Sequence, residues 1–422
     1  MSHYHTGSRP VWTAGLIVGN LIGAGILALP VSLGICGMVP SLILMILYGA
    51  LMLYSAEVLS REAVERKRAS FDLPSLYSTY LGRWARWAAV ITNGIILYGL
   101  LTAYISGASQ IIADLTGANG IKSLIVPVVA IILSLLAIMD FSAINKYNAL
   151  LVGTLICAFG ALLFLSFPAI HFSRLQESHW RYATLAIPLI VTACHFHNII
   201  PLLCRNLDWD LRAMRKAVIL GMAIAFAMNL LWTLCGIGTL PRHGDNSLVL
   251  AYLSNLPATV PMGNILNSKI FVVIAVYFSL AAIATSFIAN GIGLMNFLSD
   301  MLTSERRGPG LSQKQKNFIR AAAFVPPAVI ALIKPEIFIK ALDVAGGVGI
   351  VTLFGILPCL IAIFRKNNSS LFRTAGIFFL CLALIALITA SYNLWQGKPE
   401  LSPECSTSHG NKTFIMKGSV KQ

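Results

Sequence analysis

Two histidines stand in the middle of an apolar run that reads Thr192-Ala193-Cys194-His195-Phe196-His197-Asn198-Ile199-Ile200-Pro201. They are nearly the only ionisable side chains placed far from the end of an apolar segment. Such groups are expensive in lipid and face a cavity or a partner. Imidazole titrates near neutral pH, so His195 and His197 suit a proton relay. Each suits equally a hydrogen-bonded tether for irregular backbone. No third ligand lies nearby, which argues against a metal site. A second irregular run reads Gly19-Asn20-Leu21-Ile22-Gly23-Ala24-Gly25-Ile26-Leu27-Ala28-Leu29-Pro30. The small residues Gly23, Ala24 and Gly25 let the chain unwind and leave backbone amides bare. A half-helix starting near Ile26 presents free N–H groups and a positive dipole end, which suits a carboxylate. Plain helix packing through small residues is the competing explanation.

Three further groupings carry polar chemistry. In Ala281-Ala282-Ile283-Ala284-Thr285-Ser286, a carbonyl precedes two hydroxyls by about a turn, an oxygen set for a monovalent cation. Alternatively, Thr285 and Ser286 bond back to their own helix. Tyr98, Thr102 and Ser106 form one stripe at i, i+4 and i+8, which lines a site or packs on a neighbour. Asp343, ahead of Gly346-Gly347-x-Gly349, is a proton acceptor, an outer polar contact, or a helix-end carboxylate facing water. Glu57, Asp114, Asp140 and Asp300 lie at segment ends and need no function.

The elements that position these residues are membrane spans. The chain has 422 residues, 57% hydrophobic and 11% charged, with mean hydropathy +0.78. A soluble domain carries about 25% charged residues. Eleven apolar runs are read, at about 11–33, 38–58, 87–114, 122–140, 147–169, 183–203, 217–239, 269–299, 319–334, 339–364 and 374–395. A helix needs ~20 residues to span, and the ninth run is the shortest. Most lack the period-2 alternation of an outer-membrane barrel. With an inner N-terminus, twenty of the Lys/Arg fall inside and eleven outside. Positive-inside counting then favours the N-terminus inside and the C-terminus outside. The net charge of +15 reflects this retention and not a nucleic-acid partner. The eight cysteines lie mostly within or beside spans, with no CxxC pair, so no disulfide framework is expected. The leader 1–10 precedes a run too long for a removable signal. The loops 60–84 and 300–317 are basic, 240–268 is expected to be irregular with at most a short helix, and the polar tail 396–422 is expected to be flexible.

Runs one and six carry the two breaks, each followed by a proline. Breaking a span in lipid is tolerated only where the freed groups line a cavity or meet protein. One broken span per half points to a secondary transporter with its site at the midplane. Five spans separate the two, so the second set of five is inverted relative to the first. The expected fold is therefore an all-α integral membrane protein with a LeuT-type five-plus-five inverted repeat, in about 11–169 and 183–364. One additional C-terminal span, 374–395, lies outside the repeat. No GxxxxGK[ST], HExxH, GxSxG or TVGYG-like run occurs, so an ATP motor, an enzyme and a channel lack support.

Four stretches resemble the bacterial hydroxy/aromatic amino acid permeases of the amino acid/polyamine/organocation superfamily. They are Gly23 to Pro30; Phe196-His197-Asn198-Ile199-Ile200-Pro201; Ala284-Thr285-Ser286-Phe287 through Asp300; and Ala341-Leu342-Asp343-x-Ala345-Gly346-Gly347 through Leu357-Pro358. The resemblance implies ion-coupled uptake of an aromatic or related neutral amino acid such as tyrosine or tryptophan. No cofactor is implied beyond a coupling ion, usually a proton. The substrate carboxylate would meet Gly23 to Gly25, and its ammonium the carbonyls of Ala193, Cys194, His195 and Phe196. Tyr98 and Thr102 would shape the side-chain pocket, with His197 and Asp343 in coupling. Gly19, Ile22, Ala282, Thr285 and Ser286 also resemble the sodium site of LeuT-type carriers, which keeps sodium as the alternative ion. Two positions depart from the family pattern: His195 stands where a glycine is usual, and Asn296 where an aspartate is usual. A sensor of the same fold that has lost transport is the rival reading. The partners implied are a small-molecule amino acid and the lipid bilayer, and no oligomeric state is set. A reporter fused after Gln422 should report the periplasm, and a cytoplasmic signal would overturn the eleven-span topology.

Overall fold

Long apolar runs become long helices because backbone in lipid must bond within its own segment. The computed structural model describes residues 9–23, 25–66, 73–117, 122–139, 141–303, 312–365 and 367–396, with the backbone alone for 122–123 and 141–152. No named strand occurs among the described residues; a lone bridge joins Gly37 to Ser178. In order the helices are α1 (Arg9–Leu21), α2 (Gly25–Gly34), α3 (Met38–Arg66), α4 (Leu73–Leu81), α5 (Arg83–Thr116) and α6 (Lys122–Ile138). There follow α7 (Phe141–Ser166), α8 (Phe172–Gln176), α9 (Ala183–Ala193), α10 (Ile200–Asn206), α11 (Leu211–Thr239) and α12 (Leu248–Leu253). The last are α13 (Thr259–Leu266), α14 (Lys269–Thr303), α15 (Gln313–Ile333), α16 (Phe338–Val344), α17 (Leu357–Phe364) and α18 (Ser370–Gln396). A π-helical stretch, Ala345–Ile356, joins α16 to α17.

Among the described residues, eight helical runs are long and apolar enough to cross a membrane, and α1 with α2 makes a ninth, bent by 62°. Two shorter apolar helices, Leu124–Ile138 and Gly153–Ala169, fall where the fourth and fifth spans are expected. Burial separates centre from periphery. The runs Trp180–Asn206 and Phe338–Phe364 are each 72% buried across their apolar windows, while α18 is 17% buried. The second broken helix is therefore largely enclosed, and α18 lies at the edge.

Glycines set the close approaches between helices. A Cβ at Gly236 of α11 would stand 2.2 Å from Cβ of Pro30 in α2, and one at Gly221 2.8 Å from Ile17 of α1. Small residues of this kind let backbones approach where lipid supplies no hydrophobic drive. The Gly346-Gly347-x-Gly349 run works in three directions at once. Added Cβ atoms would meet the Pro188 carbonyl of α9 at 2.1 Å, Ala390 of α18 at 2.4 Å and Ile96 of α5 at 2.5 Å, respectively.

The structure differs from the sequence reading in three segments. The 60–84 loop carries the end of α3 and all of α4, whose Tyr77 hydroxyl donates to the Leu353 carbonyl at 2.6 Å. The 240–268 segment holds two short helices, α12 and α13, where at most one is expected. The ninth span begins at Gln313, ahead of the expected 319, behind a Ser312/Gln315 capping box that satisfies its first amides. Its Pro326 and Pro327 do not end it.

α3 is 29 residues long, about 44 Å at the helical rise, so its last turns outrun a hydrocarbon core of ~30 Å. Those turns carry an ion-pair network. Glu57 accepts from Arg61 at 2.5 Å and from two nitrogens of Arg215 at 2.6 and 2.9 Å. Glu62, 1% exposed, accepts from Arg365 at 2.5 Å and from Tyr80 at 3.0 Å. Burial, and then the Glu62 carboxylate beside it, push the Tyr80 phenol up. Arg9 pairs with Asp208 in a more exposed contact. Breaking a buried pair leaves an uncompensated charge and costs about 3–5 kcal/mol, whereas exposed pairs contribute ~0–1 kcal/mol. Arg365→Ala should therefore lower the thermal midpoint in detergent clearly, and Arg9→Ala should barely move it. Equal effects of the two would contradict this ranking.

Candidate functional site

The first break spans the linker between α1 and α2. The Ile22 amide still donates to the Val18 carbonyl at 2.9 Å, so α1 is bonded to its end. The Ile26 amide reaches the Gly23 carbonyl at 3.1 Å as the next helix begins. Ala24 lies outside the described residues. Pro30 inside α2 lacks an N–H and packs on Gly236.

The second break lies between α9 and α10. The Cys194 amide closes α9 on Ile190 at 3.1 Å, and the His195 amide makes a long bond to Thr192 at 3.3 Å. The chain then turns through Phe196 into a 3₁₀ turn at His197–Ile199, and α10 restarts with Pro201 in its first turn. Proline suits that position because its missing N–H would have no partner there.

The two breaks meet. Asn20 of α1 donates its side-chain amide to the His195 carbonyl at 3.2 Å. Asn229 of α11, 3% exposed, makes a long contact of 3.5 Å to the Ala193 carbonyl. A Cβ at Gly25 would rest 3.9 Å from the Ala193 Cα, an ordinary contact. Two carbonyls freed by the second break are thus met by asparagine side chains from other helices. Asn229 escaped the sequence analysis, although an amide within an apolar span was a visible signal.

The imidazoles point toward α3 and the π stretch. His197 Nε2 is 3.0 Å from the Met52 carbonyl, which only accepts, so Nε2 carries the proton. The two rings stack on one another at 6.1 Å and 11°, and both pack on Phe354, at 4.9 and 5.0 Å. His195 Nε2 and His197 Nδ1 are buried and have no protein partner.

On the other side, the first break presses on α14. A Cβ at Gly23 would stand 2.8 Å from the Ser286 hydroxyl. Ser286 shares a side-chain hydrogen bond with Tyr104 of α5. One turn on, Asn290 donates to the Ser286 carbonyl at 2.9 Å and approaches the Tyr104 hydroxyl at 3.5 Å. Gly23, Ser286, Tyr104 and Asn290 therefore form a polar cluster against the unwound linker. Thr285 donates back to Ala281 and Ala282 of its own helix at 2.9 and 3.1 Å. Ala282 and Ile22 are buried, and Gly19 is half-buried.

The Tyr98 stripe does not join this cluster. The Tyr98 hydroxyl donates to the Ala322 carbonyl of α15 at 2.8 Å. Thr102 donates to the Tyr98 carbonyl at 2.8 Å. Ser106 holds the turn before α16 through the Pro335 carbonyl at 2.5 Å and the Ile337 amide at 3.2 Å. Tyr104 lies two residues beyond Thr102, about 200° around the helix. The face of α5 that reaches the cluster is the opposite one.

Asp343 is also set apart. It borders a cavity of about 40 Å³ shared with Tyr252, Asn255 and Asn393, room for a water molecule or so. Burial, and then the Asp343 charge, push the Tyr252 phenol up.

Residues 7–396 match the model of the tryptophan/tyrosine permease family. The chain belongs to this family. A tyrosine-specific transport system of Haemophilus influenzae is 30% identical over 352 residues, covering 80% of this chain and 84% of that protein. A tryptophan-specific transport protein of Pseudomonas aeruginosa is 27% identical, covering 87% and 90%. In fold, the chain is similar to the manganese transporter of Eremococcus coleocola crystallised with an aromatic bis-isothiourea compound. The TM-score is 0.60 at 14% identity, covering 95% of this chain and 90% of that one. As a tryptophan/tyrosine permease, the protein is a multi-pass membrane protein and not an enzyme.

The closeness of Gly23 to Ser286 separates two substitutions. Gly23→Ala should lower uptake at least tenfold at unchanged expression, because a contact of 2.8 Å forces the linker or Ser286 to move. Gly25→Ala should be nearly silent. Ser286→Ala should partly restore the Gly23→Ala protein by removing the clashing oxygen. Silence of Gly23→Ala would return this motif to ordinary helix packing.

Proposed function

We propose that this permease is an ion-coupled symporter that imports an aromatic amino acid, such as tyrosine or tryptophan, by alternating access. One observation carries the reading: the two helix breaks abut each other, tied by the Asn20 to His195 bond, with Gly23 pressed on α14. Backbone groups of both signs are thereby concentrated in one place inside the membrane. Amides around Gly23 to Gly25 would take the substrate carboxylate. Carbonyls from Ala193 to Phe196 would take its ammonium, in part by displacing the asparagine side chains. Tyr104, Ser286 and Asn290 would face the aromatic side chain. The relatives that transport tyrosine and tryptophan support this substrate class.

In this reading the chain makes eleven spans in a bacterial inner membrane. Ten form an inverted five-plus-five repeat, α18 is the addition, and the N-terminus is inside. Substrate would enter when the helices of the two breaks rock away from α5 and α14, opening the Gly23–Ser286 contact.

Protons are the coupling ion we favour. His197 donates through Nε2 to the Met52 carbonyl, which leaves its Nδ1, buried and without a protein partner, open to a proton. A buried imidazolium with no counter-charge is costly, so His197 would take its proton only when opening admits water. In proteoliposomes, a pH gradient in sodium-free buffer should drive accumulation of the aromatic amino acid. His197→Ala should reduce that accumulation more than it reduces exchange. Strict sodium dependence, with loss in Thr285→Ala and no response to pH, would instead assign coupling to the Gly19, Ile22, Ala282, Thr285 and Ser286 set. Binding without uptake or counterflow would identify a sensor.

A further inference from the structure

Asn290 has one hydrogen-bonding valence that the protein does not fill. Its Nδ2 is committed to the Ser286 carbonyl at 2.9 Å, with Tyr104 Oη at 3.5 Å beside it. Because the Ser286 carbonyl can only accept, the amide cannot be turned the other way. Oδ1 is therefore the open atom, and it is buried without a partner. An unpaired buried acceptor is costly, so a donor from outside the chain is the natural occupant. A carboxylate is excluded, because two acceptors repel.

Position narrows the donor further. Ser286 abuts Gly23, where the α1–α2 linker turns. Asn290 follows one turn along the same face of α14, ~6 Å beyond Ser286 by the helical rise. With the substrate's charged end held at the breaks, its ring would extend past Ser286 toward Asn290. This step rests on the proposed function. We propose that Asn290 Oδ1 reads the hydrogen-bond donor on the substrate ring, a phenol O–H or an indole N–H, and that Tyr104 holds the amide in place. Asn290 is then the specificity-determining residue that excludes rings without a donor. A site built around such an acceptor rejects the analogue lacking the donor, because the buried oxygen stays unpaired.

The test uses the purified full-length protein in proteoliposomes and two near-isosteric ligand pairs. Tyrosine is compared with phenylalanine, and tryptophan with 3-benzothienylalanine, which has sulfur in place of the ring N–H. Within the pair containing the better substrate, the ligand with the donor should compete for uptake at least tenfold more strongly. In Asn290→Leu the ratio should fall to within about threefold, through loss of the donor ligand's advantage. The ligand series in the unaltered protein stands whether or not the variant folds. Equal competition within both pairs in the unaltered protein would overturn the proposal while leaving aromatic transport intact. A donor preference that persists in Asn290→Leu would overturn the assignment to Asn290. Failure to take up any aromatic amino acid would remove the functional reading itself, and this proposal with it.

Discussion

Backbone hydrogen bonding inside lipid is the constraint on which this molecule depends. A helix that crosses a bilayer satisfies its own N–H and C=O groups, and one that stops halfway does not. Here two helices stop halfway, and protein groups must meet what they release. Asn20 takes the His195 carbonyl, Asn229 approaches the Ala193 carbonyl, and the His197 ring ties the irregular segment to Met52 of α3. These contacts arrive from different helices. The breaks are held by α1, α2, α3, α9 and α11 packed together, and α11 comes close to α1 through Gly221 and to α2 through Gly236.

The same economy of space organises the second half of the chain. The π-helical stretch Ala345–Ile356 carries three glycines, and each meets a different neighbour: α9, α18 and α5. Phe354, in the same stretch, supplies the surface on which His195 and His197 lie. The imidazoles are thus held by an element that also touches the periphery through α18.

Much of this was legible in the sequence. Span positions follow from apolar runs, and both breaks announced themselves through Gly23, Gly25, His195, His197 and a following proline. What escaped was mostly a matter of direction. The Tyr98–Thr102–Ser106 stripe is a real helical face, but periodicity cannot say which neighbour a face meets, and this one meets α15 and the turn before α16. Tyr104 escapes because no polar residue stands one turn from it on its own helix, and Asn290 because its one such neighbour, Ser286, makes too short a stripe to stand out. α4 is hidden from hydropathy because basic residues flank a short apolar stretch. The early start of α15 was missed because its first turn is polar, and there the capping box, not hydropathy, sets the boundary.

The Asn20 amide has one more consequence. It occupies a carbonyl of the kind that the proposed reading offers to a ligand ammonium. In that reading the Asn20 amide would be an internal surrogate for part of the cargo. An arriving amine gains only the difference between its own bond and the one it displaces. A carrier must let go on the far side of the membrane as readily as it takes hold on the near one. A side chain that competes for the ligand's own place makes that release easier.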